Sequence, residues 1–342
     1  MTATQRLENL LNGKPVDRPP FMPAIYDLKP AFLHAAPHTF GQKKQDIIDA
    51  LTFEAEELEA DSLTAAYDIY NIEAEAVGCS VHRAPMILMP EIESPILGSL
   101  SEIDKLEVPG RISGRMEIFI SAAASMLQRH EGSIPVRGGI SGPFTMASKI
   151  CPKETVLMET LTNPEKLIPL LGFCTEVIKI YAKAFADIGA GVVVFDSFAS
   201  PPMLSPQTYK ELILPFHRDI FRSLESLGVL QRTLIIGGNT LPILHDMIST
   251  GATQFLLDFT IPMEAIKNVL QEYPDTVFRV NLPPSAFTSQ NTGELEDIIN
   301  KTLNSLTLFK NLIIGTGILP PNVPPVNILS AKKQIENFRY AD

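Results

Sequence analysis

Short apolar runs alternate with long amphipathic stretches along the whole chain. The runs fall near residues 20–25, 62–67, 134–140 and 191–195, then 233–236, 253–257, 277–280 and 312–314. Each is short and bounded by breakers, as expected of strands buried on both faces. The stretches between them carry the three-and-four spacing of helices. Residues 164–187 are the clearest case, with Leu167, Leu170, Leu171, Cys174, Val177, Ile178, Tyr181 and Phe185 on one side. Asn163-Pro164 predicts the start of that helix, because proline suits the first turn. Strands alternating with helices predict an α/β fold with parallel strands, and eight such units predict a (β/α)8 TIM barrel. An open doubly wound sheet is the alternative, but no early strand is followed by Gly-x-Gly-x-x-Gly.

Prolines gather at strand ends and loops: 19–20, 201–202, 283–284, 320–321 and 324–325. Residues 83–115 are rich in breakers and predict a loop insertion over the barrel mouth, with the N-terminal residues forming a helical extension. No linker, low-complexity tract or short repeat interrupts the pattern, so residues 1–342 are expected to form one barrel domain.

Composition narrows the function classes. The chain has 342 residues, 45% hydrophobic, with a formal net charge of −11. An acidic surface repels a phosphate backbone, which argues against nucleic acid. No apolar run reaches about 18 residues, so no membrane span is expected. The first residues lack a basic-then-apolar leader, which predicts a cytoplasmic protein. Three widely spaced cysteines, Cys79, Cys151 and Cys174, do not suggest a disulfide framework.

In a barrel the chemistry sits where strands end. The strand ends offer Tyr26 and Asp27, then Tyr67, Asp68, Tyr70, Asn71 and Glu73, then Ser141. The later ones offer Asp196, Asn239, Asp258, Asn281 and Thr316. This predicts a ring of acids, amides and hydroxyls with almost no basic residue. A strand-end Asp or Asn commonly caps a helix or closes a turn, and Asp258 before Phe-Thr-Ile-Pro has that look. Glu73 and Glu75 lie two residues apart and cannot both face inward from a helix. Glu73, nearer the strand end, is the expected inward one. His217 opens a helix, where histidine usually has a structural role. His34, His38, His82, His130 and His245 have no metal-ligand spacing.

Several ordered motifs resemble the uroporphyrinogen decarboxylase superfamily over nearly the whole chain. They include Arg-Leu-Glu-Asn-Leu-Leu-Asn-Gly-Lys-Pro-Val-Asp-Arg-Pro-Pro at 6–20 and Ala-Asp-Ser-Leu-Thr-Ala-Ala-Tyr-Asp at 60–68. Gly-Pro-Phe-Thr-Met-Ala-Ser at 142–148 and Phe-Asp-Ser-Phe-Ala-Ser at 195–200 follow, with Leu-Ser-Pro-Gln-Thr-Tyr-Lys-Glu-Leu-Ile-Leu-Pro-Phe at 204–216. The resemblance implies a (β/α)8 barrel and places the decarboxylases' catalytic aspartate on Asp68. It also exposes a loss. The zinc methyltransferase branch carries His-x-Cys and Gly-Cys-Gly where this chain has Ile235, Gly237 and Thr316, and the decarboxylases carry Gly-His-Gly at the last. None of the three can ligate zinc as thiolate or imidazole. The decarboxylases' arginine run is also missing from residues 26–35.

By contrast, Tyr-Asn-Ile-Glu-Ala-Glu-Ala-Val-Gly at 70–78 is similar to a segment of corrinoid-dependent methyltransferases. The resemblance then implies a substrate-side, O-demethylating methyltransferase. It would move methyl from a methyl ether of a methoxylated aromatic to Co(I) of a partner corrinoid protein. Asp68, Glu73 and Asp196 suit the acid that protonates the leaving oxygen, and Tyr67 or Tyr70 a hydrogen-bond donor. Tyr26, Tyr70, Asn71, Ser141, His217, Asn239, Asp258, Asn281 and Thr316 are the candidate substrate contacts. No resident metal is expected, although Asp68, Glu73, Asp196 or His217 would offer an oxygen-rich Lewis-acid site as an alternative. The Pro-rich insertion and residues 318–326 are the expected docking rim for the corrinoid. The other functional readings are a non-catalytic barrel binding a corrinoid or tetrapyrrole, and a divergent decarboxylase.

Overall fold

A computed structural model describes residues 1–85, 89–289 and 292–341. Residues 86–88 of the predicted insertion therefore lie outside the described residues.

All eight predicted strands are present and parallel, as β1 (Phe21–Ala24), β2 (Leu63–Ala65), β5 (Val136–Ser141), β6 (Gly191–Phe195), β7 (Arg232–Ile235), β8 (Gln254–Leu257), β9 (Val277–Leu282) and β10 (Leu312–Ile318). Their order is β1-β10-β9-β8-β7-β6-β5-β2, and helices surround the sheet, as in a TIM barrel. Two elements were not expected. β3 (Ser80–His82), just before the insertion, and β4 (Glu91–Ser94) within it form an antiparallel hairpin, followed by a 3₁₀ helix at Leu100–Lys105. The last barrel strand is longer than its apolar run, because Gly-Thr-Gly continues the ladder against Asn281 and Leu282.

Side chains alternate between two cores. Leu234, Phe255, Phe278 and Ile314 face the surrounding helices, and the stripe from Leu167 to Phe185 joins the same outer core against β5 and β6. Ala66, Val193, Phe195, Ile235 and Leu256 line the barrel interior with Tyr26 and Ile69. At the N-terminal end of the strands, Leu7 and Leu10 of helix Ala3–Leu11 plug the barrel against Met22, Val277 and Ile313. No described helix is long and apolar enough to cross a membrane.

The ring closes at β1 and β2 through one residue rather than a ladder. The Asp61 amide donates to Phe21 O (3.0 Å), and the Asp61 carboxylate accepts from Phe21 N (2.7 Å). The same carboxylate receives Arg6 (2.8 Å), Arg18 (2.6 and 3.0 Å) and Lys332 (3.3 Å). Asp61 is buried, and burial pushes its carboxyl up. The Arg18 bond and the Lys332 charge outweigh that, so it lies below the ordinary aspartate value. A lowered acid contributes stability that is present above its unfolded value and lost as pH falls through the folded one. Asp61→Asn should therefore destabilise the fold by on the order of 3–5 kcal/mol, since it takes the close carboxylate from buried Arg18 and Lys332, whereas Arg6 keeps Asp17 at 2.7 Å. Urea unfolding at pH 7 checks this. The gap between variant and wild type should shrink below about pH 4.

Candidate active site

The segment after β2 carries most of the chemistry. Asp68 sits in the left-handed region with φ +57, a conformation that costs of order 1 kcal/mol outside glycine. That turn drives its carboxyl inward, where it is buried. Asn71 Nδ2 donates to one oxygen and to Pro90 O (2.7 Å), tying Asp68 to the insertion. The other oxygen pairs with Arg115 Nη2 at 2.8 Å. Burial raises the Asp68 carboxyl to about 6 even against that guanidinium.

Arg115 corrects the expectation of a ring without bases. It comes from helix Arg115–Arg129, far in sequence, and also pairs with Glu75. Glu75 in turn meets Arg83 of the insertion at 3.0 Å. Glu75 thus turns outward, and Glu73 is the fully buried one.

Glu73 Oε1 accepts from Ser141 N (2.6 Å), while Oε2 lies 2.9 Å from Ser141 Oγ. Ser141 Oγ also donates to Ile69 O at 2.8 Å, and a carbonyl can only accept. Ser141 has one hydroxyl hydrogen. If it goes to Ile69, the hydrogen between Ser141 and Glu73 must come from a protonated Glu73. Burial, followed by the opposing Ser141 amide bond, leaves the Glu73 carboxyl at about 7. Geometry and burial agree on an acid that keeps its proton near neutrality.

Asp196 differs from the acid role expected of it. It is fully buried, and its oxygens accept from Thr145 N and Oγ1 (both 2.7 Å) and Phe144 N (3.3 Å) at the start of helix Pro143–Ile150. His217 Nε2 lies 2.8 Å away. Every one of these neighbours can donate, so the carboxylate serves as an acceptor that holds loops together. Gly142 permits the approach, since a Cβ there would meet Asp196 Cβ at 2.2 Å. His217 Nδ1 is held by Tyr209 Oη at 3.0 Å, across a π-helical turn at Tyr209–Ile213.

Tyr67 does not reach the interior. The β2 alternation sends it outward, where its hydroxyl donates to Pro37 O (2.9 Å) and its ring meets Phe40 edge-on. Tyr70 takes the inner place instead. It bonds Ser197 Oγ at 2.7 Å, and burial raises its phenol to about 12, with smaller contributions from Tyr26, Asp27 and Asp196. Tyr26 packs edge-on against Phe195 at 5.3 Å, and its buried hydroxyl has no partner.

The remaining candidates divide. Asn281 Oδ1 accepts from Arg279 Nε (3.0 Å) inside the barrel. Asp258 closes its own turn by accepting from Thr260 N and Oγ1 through one oxygen, and exposed Asn239 accepts from Leu241 N. Thr316 lies within β10, and its hydroxyl accepts from Ala24 N (2.9 Å) where the β1–β10 register shifts.

The donor set does not fit zinc. Ile235 lines the apolar interior, Gly237 has no side chain, and Thr316 is engaged by β1. Nor do the acids converge as an oxygen-rich ligand set. Asp68, Glu73 and Asp196 hold different partners, and no cluster of three ligand-type side chains occurs among the described residues.

Residues 2–337 match the family description Uroporphyrinogen decarboxylase (URO-D). The chain belongs to that family. It is 27% identical over 356 residues to the methylcobamide:CoM methyltransferase MtbA of Methanosarcina mazei, spanning 99% of both chains. It is 30% identical over 246 residues to the uroporphyrinogen decarboxylase of Myxococcus xanthus, spanning 69% of this chain and 67% of that one. The solved structure of a methyltransferase from Methanosarcina mazei has the same fold, with TM-score 0.86, 20% identity and 99% of each chain covered.

Sequence reasoning missed Arg115, Thr145 and Tyr209, whereas Ser197 was legible beside Asp196 at its strand end. Only Thr145 left a local trace, because Gly142-Pro143 announces a helix N-terminus facing the next strand end. The others arrive from remote segments.

The Glu73 geometry has a pH consequence. Its carboxyl is raised from 4.5 to about 7, so the favourable protonated form is retained at low pH and lost as pH rises through 7. Wild-type stability should decline between about pH 4.5 and 7 through this residue, by on the order of 2–3 kcal/mol. Glu73→Gln should remove that component of the slope, as read by urea unfolding across the range.

Proposed function

We propose that this protein is a corrinoid-protein-dependent methyltransferase that takes methyl from a methyl ether. The observation that carries the reading is Asp68, a buried carboxyl raised to about 6. It stands in a scaffold whose zinc positions hold Ile235, Gly237 and Thr316. Full-length similarity to methylcobamide:CoM methyltransferases supports methyl exchange with a corrinoid. Without the zinc positions, thiol activation has no residues to perform it. A proton-holding acid suits the other half of such chemistry, release of methyl from oxygen.

In the proposed step, Co(I) of a partner corrinoid protein attacks the ether methyl with its electron pair. The Co–C bond forms as the C–O bond breaks, and cobalt becomes methyl-Co(III). Asp68 delivers its proton to the departing oxygen, which leaves as an alcohol or phenol. Tyr70 donates a hydrogen bond to that oxygen as charge develops. Arg115 and Asn71 orient Asp68, and Glu73 and Asp196 brace the loops around it. Docking of the partner excludes water and favours the protonated acid further. Exposed Phe259 and Ile318 at strand ends, with Val326 beyond, supply an apolar rim for a flat macrocycle.

Single-turnover mixing with a Co(I) corrinoid protein and a panel of methoxylated aromatics, methanol and methylamines tests this. A methoxylated aromatic should convert the Co(I) spectrum to methyl-Co(III). The rate should fall as pH rises beyond about 6, since the acid form does the work. Asp68→Asn should slow it about 10²–10⁴-fold. An unchanged Asp68→Asn rate would sink the acid role. Binding of the corrinoid protein without turnover of any donor would favour a non-catalytic barrel.

A further inference from the structure

Among the described residues seven cationic side chains are buried, and five of them meet a carboxylate. Arg6, Arg18 and Lys332 share Asp61, Lys29 pairs with Glu54, and Arg115 pairs with Asp68. The two exceptions are Arg137 and Arg279, at 2% and 4% exposure. Among the described residues neither has an ion-pair partner. Arg137 Nε donates to Thr64 Oγ1 (2.9 Å). Arg279 donates through Nε to Asn281 Oδ1 (3.0 Å) and through Nη2 to Thr316 O (2.8 Å), which leaves Nη1 buried without a partner. The acid whose charge Arg137 feels, Glu54, is already held by Lys29 at 2.8 Å.

Both arginines project into the barrel. Arg137 alternates with Val136 and Arg279 with Phe278 and Val280, which face the outer core. Glycine at 315 makes room, because a Cβ there would lie 2.1 Å from Arg279 Nε. Burial, and after it the charge of Arg279, lower Arg137 to about 10 against the opposing influence of Tyr26. Further polar atoms of inward residues are buried without partners: Tyr26 Oη on the loop after β1, Thr233 Oγ1 on β7 and Gln254 Nε2 on β8. Two unpaired guanidinium groups among unused donors cost several kcal/mol unless an anion joins them.

Resting on the methyltransferase reading, we propose that Arg137 and Arg279 form an anion-binding floor that takes the carboxylate of the methyl donor. The layers of the barrel support a carboxylated methyl ether. Above the arginines, at the strand ends, lies the apolar belt of Tyr26, Ala66, Ile69, Phe195, Ile235 and Leu256. An aromatic ring suits that belt. A carboxylate below it and an ether oxygen above would leave the oxygen beside Tyr70 and Asp68, with its methyl toward the open mouth. The guanidinium fork suits the two carboxylate oxygens.

Calorimetric binding of 4-hydroxybenzoate and phenol, at constant ionic strength, tests the floor without any methyl transfer. The acid should bind about tenfold or more tightly than phenol. Arg279→Met should abolish that preference by weakening binding of the acid, whereas Arg279→Lys should keep part of it. Equal wild-type binding of the two probes would overturn the proposal, and that comparison needs no variant. Binding of chloride or inorganic phosphate that 4-hydroxybenzoate cannot displace would overturn it too, in favour of a resident inorganic anion. Methyl transfer is read separately, with 4-methoxybenzoate against methoxybenzene. Equal kcat/KM for both would sink the floor while sustaining the methyltransferase. Arginine-dependent binding of the acid with no methyl reaching cobalt would sustain the floor and sink the methyltransferase.

Discussion

Asp61 holds the barrel shut. A ring of eight parallel strands must join its first strand to its second, and here that seam has no ladder of its own. Backbone and side chain of one aspartate bridge it through Phe21, while Arg6, Arg18 and Lys332 converge on the carboxylate from the first helix, the following loop and the last helix. A buried carboxylate is costly in isolation, and three cations with a backbone amide turn that cost into a specification of which segments meet. Closure fixes the position of β2, and β2 leads directly into Asp68, Tyr70 and Glu73. The floor of the barrel and its mouth are therefore one mechanical problem.

Desolvation then sorts the acids of the mouth by the donors each can find. Asp196 has the helix start at Phe144 and Thr145 and the ring of His217, so it becomes an internal brace. Glu73 finds chiefly Ser141, and burial leaves it holding a proton near neutrality. Asp68 has Arg115 and Asn71, yet burial still holds it well above an ordinary aspartate, at about 6. Similar carboxyl groups thus acquire different capacities from their surroundings. The arginines show the reverse case. Where a guanidinium finds no acid, its environment is complete only when an anion arrives.

The family scaffold explains why chemistry can change so far while the architecture stays. Strand ends set positions, and side chains at those positions set reactivity. Ile235, Gly237 and Thr316 contribute apolar wall, open space and a bond to β1. Replacing ligands at those points leaves the β ladder intact.

Periodicity alone determined the eight strands, the helix packed through Leu170 and Phe185, and the mouth on which Asp68 and Glu73 stand. Those features follow from local spacing and from the rule that parallel strands end together. It also separated Glu73 from Glu75, because two positions on one helix turn cannot share a direction. The hairpin of Ser80–His82 with Glu91–Ser94 was not legible, since its residues are mostly exposed and carry no apolar alternation. Tyr67 and Tyr70 were alternative donors in the sequence, and only the fold, with the alternation leaving β2 and the left-handed turn at Asp68, sent one to Pro37 and the other to Ser197. Arg115, Tyr209 and the missing partners of Arg137 and Arg279 belong wholly to tertiary structure. The charge a buried group meets depends on which distant segments the closed barrel brings beside it, and that information is not local to any stretch of chain.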